Sequence, residues 1–243
     1  MQSCENQLTI LDCLPKSNFH EAINKMEVNN ACDIMIKQQL RTNGIVDDKI
    51  ISLYKQIPRT NFVPTAYQAF AYTDLRIPLN FAQCMLTPLE EATILQALTL
   101  TGVETILEIG TGSGFFTALL SQCCKKIYTV DYFELFTQTA KEHFHKFNLN
   151  NIECFTGDAS DAWDVHAPYD AVIYTGALPQ LTETQRLQIT PGGQLIAFIG
   201  DHNYAQAKHY KLDHNSIWHE QLLFTSALPS LIMPETSTTQ FVF

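Results

Sequence analysis

The sequence predicts an α/β fold, a doubly wound and mostly parallel sheet with a helical N-terminal cap. Strand and helix patterns alternate from residue 104 onward, as they do when a parallel sheet is built with crossover helices. At the head of that alternation a short apolar run, Thr105 to Ile109, meets glycines at every second position, Gly110, Gly112 and Gly114. A new helical pattern then begins at Phe115. Upstream of residue 104 the apolar residues recur at helical spacing and are interrupted by prolines.

Residues 1–25 show no clear amphipathic period and carry Pro15, Lys16, Ser17 and Asn18 as breakers, so they read as a loosely attached extension. One domain is expected over residues 26–243, with a helical cap and substrate loop in 26–103 and the sheet core in 104–243. A short helix over Cys32 to Asn43 stops at Asn43-Gly44. Ile50, Leu53, Tyr54 and Ile57 then fall on one helical face, ended by Pro58. Phe62-Val63-Pro64 and the aromatic-rich stretch Tyr67 to Tyr72 continue an irregular cap, whose aromatics mostly fill the core. Ile77 to Pro88 is too rich in proline for a central strand. This loop leads into a helix, Leu89 to Leu100, with Leu89, Ala92, Leu95 and Leu98 on one face and Gly102 as its stop.

The glycine turn opens a helix over about 115–124, followed by a second strand, Lys126 to Asp131. Phe133, Phe136, Ala140, Phe144 and Phe147 mark one face of the next helix. A third strand runs from Ile152 to Phe155 and a fourth from Tyr169 to Thr175. A short helix over 182–189 leads to Pro191-Gly192-Gly193, a type II turn signal, and to a fifth strand, Gln194 to Gly200. Segments 205–213 and 217–228 read as further strands, and the tail from Pro229 as mostly irregular.

Composition narrows the function. Fifteen basic against 25 acidic residues give a formal net charge of −10, which disfavours a sequence-independent grip on phosphate backbones. Hydrophobic residues at 46% and charged residues at 16% are enough for one large core. Seven cysteines form no C-x-x-C pair, and His143 and His145 lie two apart on a helix, pointing to different faces as ordinary surface residues. No metal site is expected. No apolar run approaches ~18 residues, and the first residues lack a signal-peptide pattern, so a cytoplasmic protein without membrane or nucleic-acid partners is expected.

The glycine turn does not fit the dinucleotide fingerprint G-x-G-x-x-G, because the third glycine would fall at Phe115. Its form is E-x-G-x-G-x-G from Glu108, which resembles the first motif of class I S-adenosylmethionine-dependent methyltransferases. Ligands in open α/β sheets bind beyond the carboxyl ends of the strands. The expected cofactor set is therefore Glu108, Gly110, Thr111, Gly112, Ser113 and Gly114 at the turn, Asp131 and Tyr132 after the second strand, and Gly157, Asp158 and Ala159 after the third. Thr175 at the end of the fourth completes it. Asp131 is placed for ribose hydroxyls, or else to cap the following helix. Asp158 is placed for the adenine amino group, and Asp170, at the wrong end of its strand, is read as structural.

The segments M-I-K-Q-Q-L-R-T-N-G-I (35–45), P-R-T-N-F-V-P (58–64), A-Y-T-D (71–74), I-L-E-I-G-T-G-S-G-F (106–115), P-Y-D-A-V-I (168–173) and P-G-G-Q-L (191–195) occur in order. Together they resemble the protein-L-isoaspartate (D-aspartate) O-methyltransferases over about residues 32–200. The resemblance implies a class I, Rossmann-like methyltransferase that uses S-adenosyl-L-methionine to esterify the misplaced α-carboxylate of an isoaspartyl residue in a peptide or protein, beginning its repair. The family's segment close to G-Q-T-I-S-x-P appears here as A-Q-C-M-L-T-P, so its active-site serine corresponds to Leu86, with Thr87 alongside as the substitute catalytic hydroxyl. Three readings stand on the residues: isoaspartyl repair, methyl transfer to another acceptor, and a catalytically silent cofactor-binding paralogue.

Overall fold

The computed structural model describes residues 28–232. The expected extension over 1–25 lies outside them. Helical backbone over 28–35 widens through a π-helical stretch Ile36–Leu40, then tightens into a 3-10 turn Arg41–Asn43, and stops at Gly44 with φ 85°. Helix α1 (Asp48–Gln56) starts on the Asp47 side chain, which accepts the Lys49 N–H, and buries Ile50, Ile51, Leu53 and Tyr54. Two 3-10 turns, Arg59–Asn61 and Thr65–Phe70, complete the cap. Its aromatics divide: Phe62 and Tyr72 are buried, whereas Tyr67 and Phe70 are exposed.

Helix α2 (Pro88–Leu98) has proline in its first turn and a capping box between Thr87 and Glu90. It ends earlier than the glycine signal suggested, because Thr99 takes the left-handed conformation and Gly102 falls in the following loop. The sheet comprises β1 (Thr105–Ile109), β2 (Lys126–Asp131), β3 (Ile152–Thr156), β4 (Tyr169–Leu178), β5 (Ile189–Gly200), β6 (Ala205–Leu212) and β7 (Trp218–Ser226), in the order β3-β2-β1-β4-β5-β6-β7. The first five strands are parallel, and β6 and β7 are antiparallel additions. The strand order reverses direction between β1 and β4, which is where an open sheet opens a crevice.

Between strands run α3 (Phe115–Ser121), α4 (Glu134–Lys146) and α5 (Glu183–Leu187). α3 is shorter than expected and buried on every side, because the cap covers the face that the sheet does not. Pro191-Gly192-Gly193 is a bulge inside β5 rather than a turn before it. Tyr169 pairs with Ile189 and Ala171 with Gln194, so the extra residues loop out, with Gly192 at φ 84°.

One buried ion pair ties the cap to the core. Arg59, fully buried, donates through Nη1 to both oxygens of Glu91 (2.6 and 2.5 Å) and through Nη2 to the Leu86 carbonyl (2.6 Å). Its guanidinium lies 4.8 Å from the Phe115 ring centroid. Burial pushes the Glu91 carboxyl up, to about 7, against the pull of Arg59. Among the described residues no helix is long and apolar enough to cross a membrane.

Candidate active site

The carboxyl ends of β1, β2, β3 and β4 surround a cleft of about 80 Å³. Its floor is the glycine turn. Gly110 has φ 101°, and a Cβ there would penetrate the Thr175 hydroxyl, which itself donates to the carbonyls of Ile109 and Gly110 at 2.9 Å each. Only glycine lets the main chain pass at that point. A second cavity of about 40 Å³ lies beneath the turn and shares Leu79, Cys84, Gly110, Gly112 and Thr175 with the first.

Asp131 is buried at the end of β2. Its Oδ2 accepts the Gly112 N–H and its Oδ1 the Phe133 N–H, each at 2.9 Å, and desolvation raises its carboxyl. The side chain thus fixes the turn to the start of α4 while lining the cleft. Tyr132, Gly157, Asp158 and Ala159 line the same cleft, and Asp158 Oδ1 accepts the Ser160 N–H at 2.9 Å. Asp170 stands away from it, accepting the Thr105 N–H at 2.8 Å.

Glu108 lines the inner cavity and is wholly buried. Oε2 accepts from the Thr117 and Thr129 hydroxyls, the latter at 2.7 Å, whereas Oε1 has no partner. Burial pushes this carboxyl up to about 8. An unpartnered carboxyl oxygen in so dry a place is costly unless a donor reaches it. Thr111 and Ser113 line the inner cavity as well.

Two expected residues stand apart. Gly114 lines neither of these two cavities; it begins α3 at φ 80°, and a Cβ there would lie 2.9 Å from that of Ala140 on α4. Thr87 also lines neither, since its hydroxyl accepts the Glu90 N–H at 3.3 Å as the cap of α2. Leu86 is the neighbour that reaches the inner cavity, buried and without any polar atom on its side chain. His143 is more than a surface residue: Nδ1 lies 3.1 Å from the Ser113 carbonyl and the ring packs edge-on to Phe62 at 4.7 Å.

The sequence reading did not foresee the roof. Ile77 to Met85 folds as a hairpin, with Pro78 bridged to Cys84 and the Gln83 N–H bonded to the Asn80 carbonyl at 3.1 Å. Phe81 and Ala82 at its tip both lie in left-handed backbone, φ 56° and 55°, a conformation that L-residues seldom adopt. Phe81 stacks on Phe133 at 4.1 Å and meets Phe136 edge-on at 5.7 Å, which holds the tip over the cleft. Leu79, Gln83 and Cys84 face inward from this hairpin, and Leu231 and Ile232 close the side. The segment holding them is clipped to β4 by Ala177, through bonds to the Pro229 carbonyl (3.0 Å) and the Leu231 N–H (2.8 Å). Only Gln83, through its place in the A-Q-C-M-L-T-P motif, carried a signal in the sequence.

Known proteins resemble this chain in sequence and in fold. The family model for protein-L-isoaspartate(D-aspartate) O-methyltransferase matches residues 31–226. A protein-L-isoaspartate O-methyltransferase 2 of Pelobacter propionicus is 34% identical over 174 residues, covering 72% of this chain and 77% of its own length. A protein-L-isoaspartate O-methyltransferase of Herpetosiphon aurantiacus is 37% identical over 167 residues, covering 69% and 75%. The crystal structure of a "putative protein-L-isoaspartate O-methyltransferase" from Plasmodium falciparum, in complex with S-adenosyl-L-homocysteine, shares the fold with a TM-score of 0.68 at 14% identity, over 83% of this chain and 97% of that one.

Proposed function

The chain belongs to the protein-L-isoaspartate(D-aspartate) O-methyltransferase family and is an S-adenosylmethionine-dependent methyltransferase, and we propose that its acceptor is the misplaced α-carboxylate of an isoaspartyl residue in a peptide or protein. The observation that carries the carboxylate assignment is the state of the two carboxyls in the inner cavity. Glu91 is locked by Arg59, and Glu108 has one oxygen taken by the Thr117 and Thr129 hydroxyls and the other offered to the cofactor, so neither is free to serve as a base for an alcohol or amine. A carboxylate acceptor, with a pKa near ~3.5, is a nucleophile without one.

The residues present fit the cofactor. The unpartnered Glu108 Oε1 faces the cavity under the glycine turn, where it would receive the cofactor's ammonium group. Asp131 keeps unused lone pairs for ribose hydroxyls, and Asp158 for an adenine amino group. When bound, the cofactor supplies an electrophilic methyl on a sulfonium, and transfer exchanges a C–S bond for a C–O bond with no proton to move. Leu79, Met85 and Leu86 keep water from that end, and the turn and hairpin between them orient the reacting atoms. The cleft as it stands is smaller than the ~300 Å³ at the low end of small-molecule sites, so its walls part to admit ligand. All five described cysteines are free, which supports a reducing, cytoplasmic compartment.

One observation favours a second reading, transfer to a different carboxylate: Leu86 offers no hydrogen bond where the family has serine. Methyl transfer from labelled S-adenosylmethionine to an isoaspartyl peptide and its aspartyl twin decides between them. Selective labelling of the isoaspartyl peptide is expected. Cofactor binding with neither peptide labelled overturns the isoaspartyl assignment.

A further inference from the structure

Behind the hairpin, on the side away from the glycine turn, lies a second groove of about 480 Å³. Gln83, Cys84 and Ile232 line both this groove and the cofactor cleft, so only the thickness of that wall separates them. Among the described residues the groove's lining includes no carboxylate, although the chain carries 25 acidic residues against 15 basic, and Arg76 brings its guanidinium there beside the His202 imidazole. A chain of this net charge repels anionic peptides at long range, so an acceptor carboxylate needs a local donor.

Arg76 is held for such a task. Its Nη2 binds Glu90 Oε1 at 2.5 Å and the Ser226 hydroxyl, which fixes the plane of the guanidinium. Its Nη1, by contrast, meets only the Cys84 sulfur, at 3.9 Å, among the described residues. Of the donors around the wall, Thr87 caps α2, Thr175 bonds two carbonyls and Gln83 Nε2 bonds the Phe81 carbonyl at 3.3 Å, while Ser230 and His202 line the groove beside Arg76. Leu86 has nothing to donate.

We propose that the acceptor lies along this groove and reaches the cofactor cleft at Cys84, which lines both, where Arg76 Nη1, 3.9 Å from the Cys84 sulfur, holds its carboxylate at that shared edge. This rests on the carboxylate-acceptor reading given above. The Glu90 partner offsets much of the charge of Arg76, so its contribution is chiefly the directed N–H donors of Nη1. Lysine would keep the charge and lose that direction. The specificity that follows is for carboxylate over carboxamide, because an amide presents only one acceptor and its NH2 faces a donor.

The test uses the full chain with an isoaspartyl peptide as substrate and its α-carboxamide analogue as competitor, alongside cofactor binding and thermal midpoints. In the wild type the amide competes at least tenfold more weakly than the carboxylate peptide binds. Arg76→Gln raises the peptide KM about tenfold to a hundredfold, the worth of one hydrogen bond to a charged group, leaves the cofactor Kd within about twofold and erases the carboxylate preference. Arg76→Lys restores part of it and supplies the measurement if the glutamine variant does not fold. Ser226→Ala loosens the guanidinium, raises the KM less than Arg76→Gln and keeps the carboxylate preference. A KM rise in Ser226→Ala equal to that of Arg76→Gln, or an unchanged carboxylate preference in both Arg76 variants, overturns the inference while leaving the methyltransferase reading intact. A wild type that binds cofactor and labels no isoaspartyl peptide overturns the acceptor reading itself, and this inference with it.

Discussion

The two sides of the cleft are built on different principles. The cofactor side, from Glu108 to Gly112 with Asp131 and Asp158, consists of strand ends and tight turns whose conformation is decided within a few residues and fixed by main-chain bonds. The acceptor side, the Phe81 hairpin and the segment 227–232, has almost no regular structure and is held by contacts between residues about 150 positions apart, such as Arg76 to Ser226. The first is a property of the fold that many chemistries share. The second is where, on the reading proposed above, one acceptor is distinguished from another.

Changes on the two sides should therefore break different things. Gly110→Ala forces a Cβ into the Thr175 hydroxyl at a φ of 101°, and we expect at least a hundredfold loss of cofactor affinity in isothermal titration. Retention of affinity would mean that the turn is softer than its bonding implies. Arg59→Ala leaves the Glu91 charge buried without its partner and should cost about 3–5 kcal/mol in denaturant unfolding, whereas Arg59→Met with Glu91→Leu should cost much less.

Glu108 tests the cofactor side through pH. Its folded value of about 8 stands above the ordinary 4.5, so the unfolded chain loses this proton first. The contribution to stability is complete below about 4.5 and is lost as pH rises to about 8. Glu108→Gln removes that slope, and the unfolding free energies of variant and wild type measured across pH 5–8 should diverge with rising pH in favour of the variant. Parallel curves would show that the carboxyl titrates normally. The smallest effect is expected on the acceptor side: Phe81→Ala removes one stacked pair, worth about 0.5–1.5 kcal/mol, and should speed cofactor release about three- to tenfold in stopped-flow with little change in folding.

The same contrast explains what could be read in advance. β1, the glycine turn and Asp131 were legible because strand, turn and helix start succeed one another within one short stretch. Asp170 was separable from Asp131 by its place at the opposite end of a strand. Thr87 was not, since a threonine three residues before a glutamate signals a helix cap as strongly as a catalytic hydroxyl, and here it is the cap. Leu231 and Ile232 gave no sign at all, because an irregular segment becomes a wall only when β4 offers Ala177 to pair with. Gly102 failed as a helix stop because Thr99 took the left-handed turn first. His143 looked like surface because its partner, the Ser113 carbonyl, lies on another element.

That late wall has a bearing on biosynthesis. A chain emerging from the ribosome has its glycine turn exposed to the cytosol long before residues 231 and 232 are translated. The cleft is closed on that side only when they arrive and pair beside β4. Until then the cleft lacks the side that Leu231 and Ile232 supply. Truncation at residue 226 would leave every named strand of the sheet in place and remove that wall.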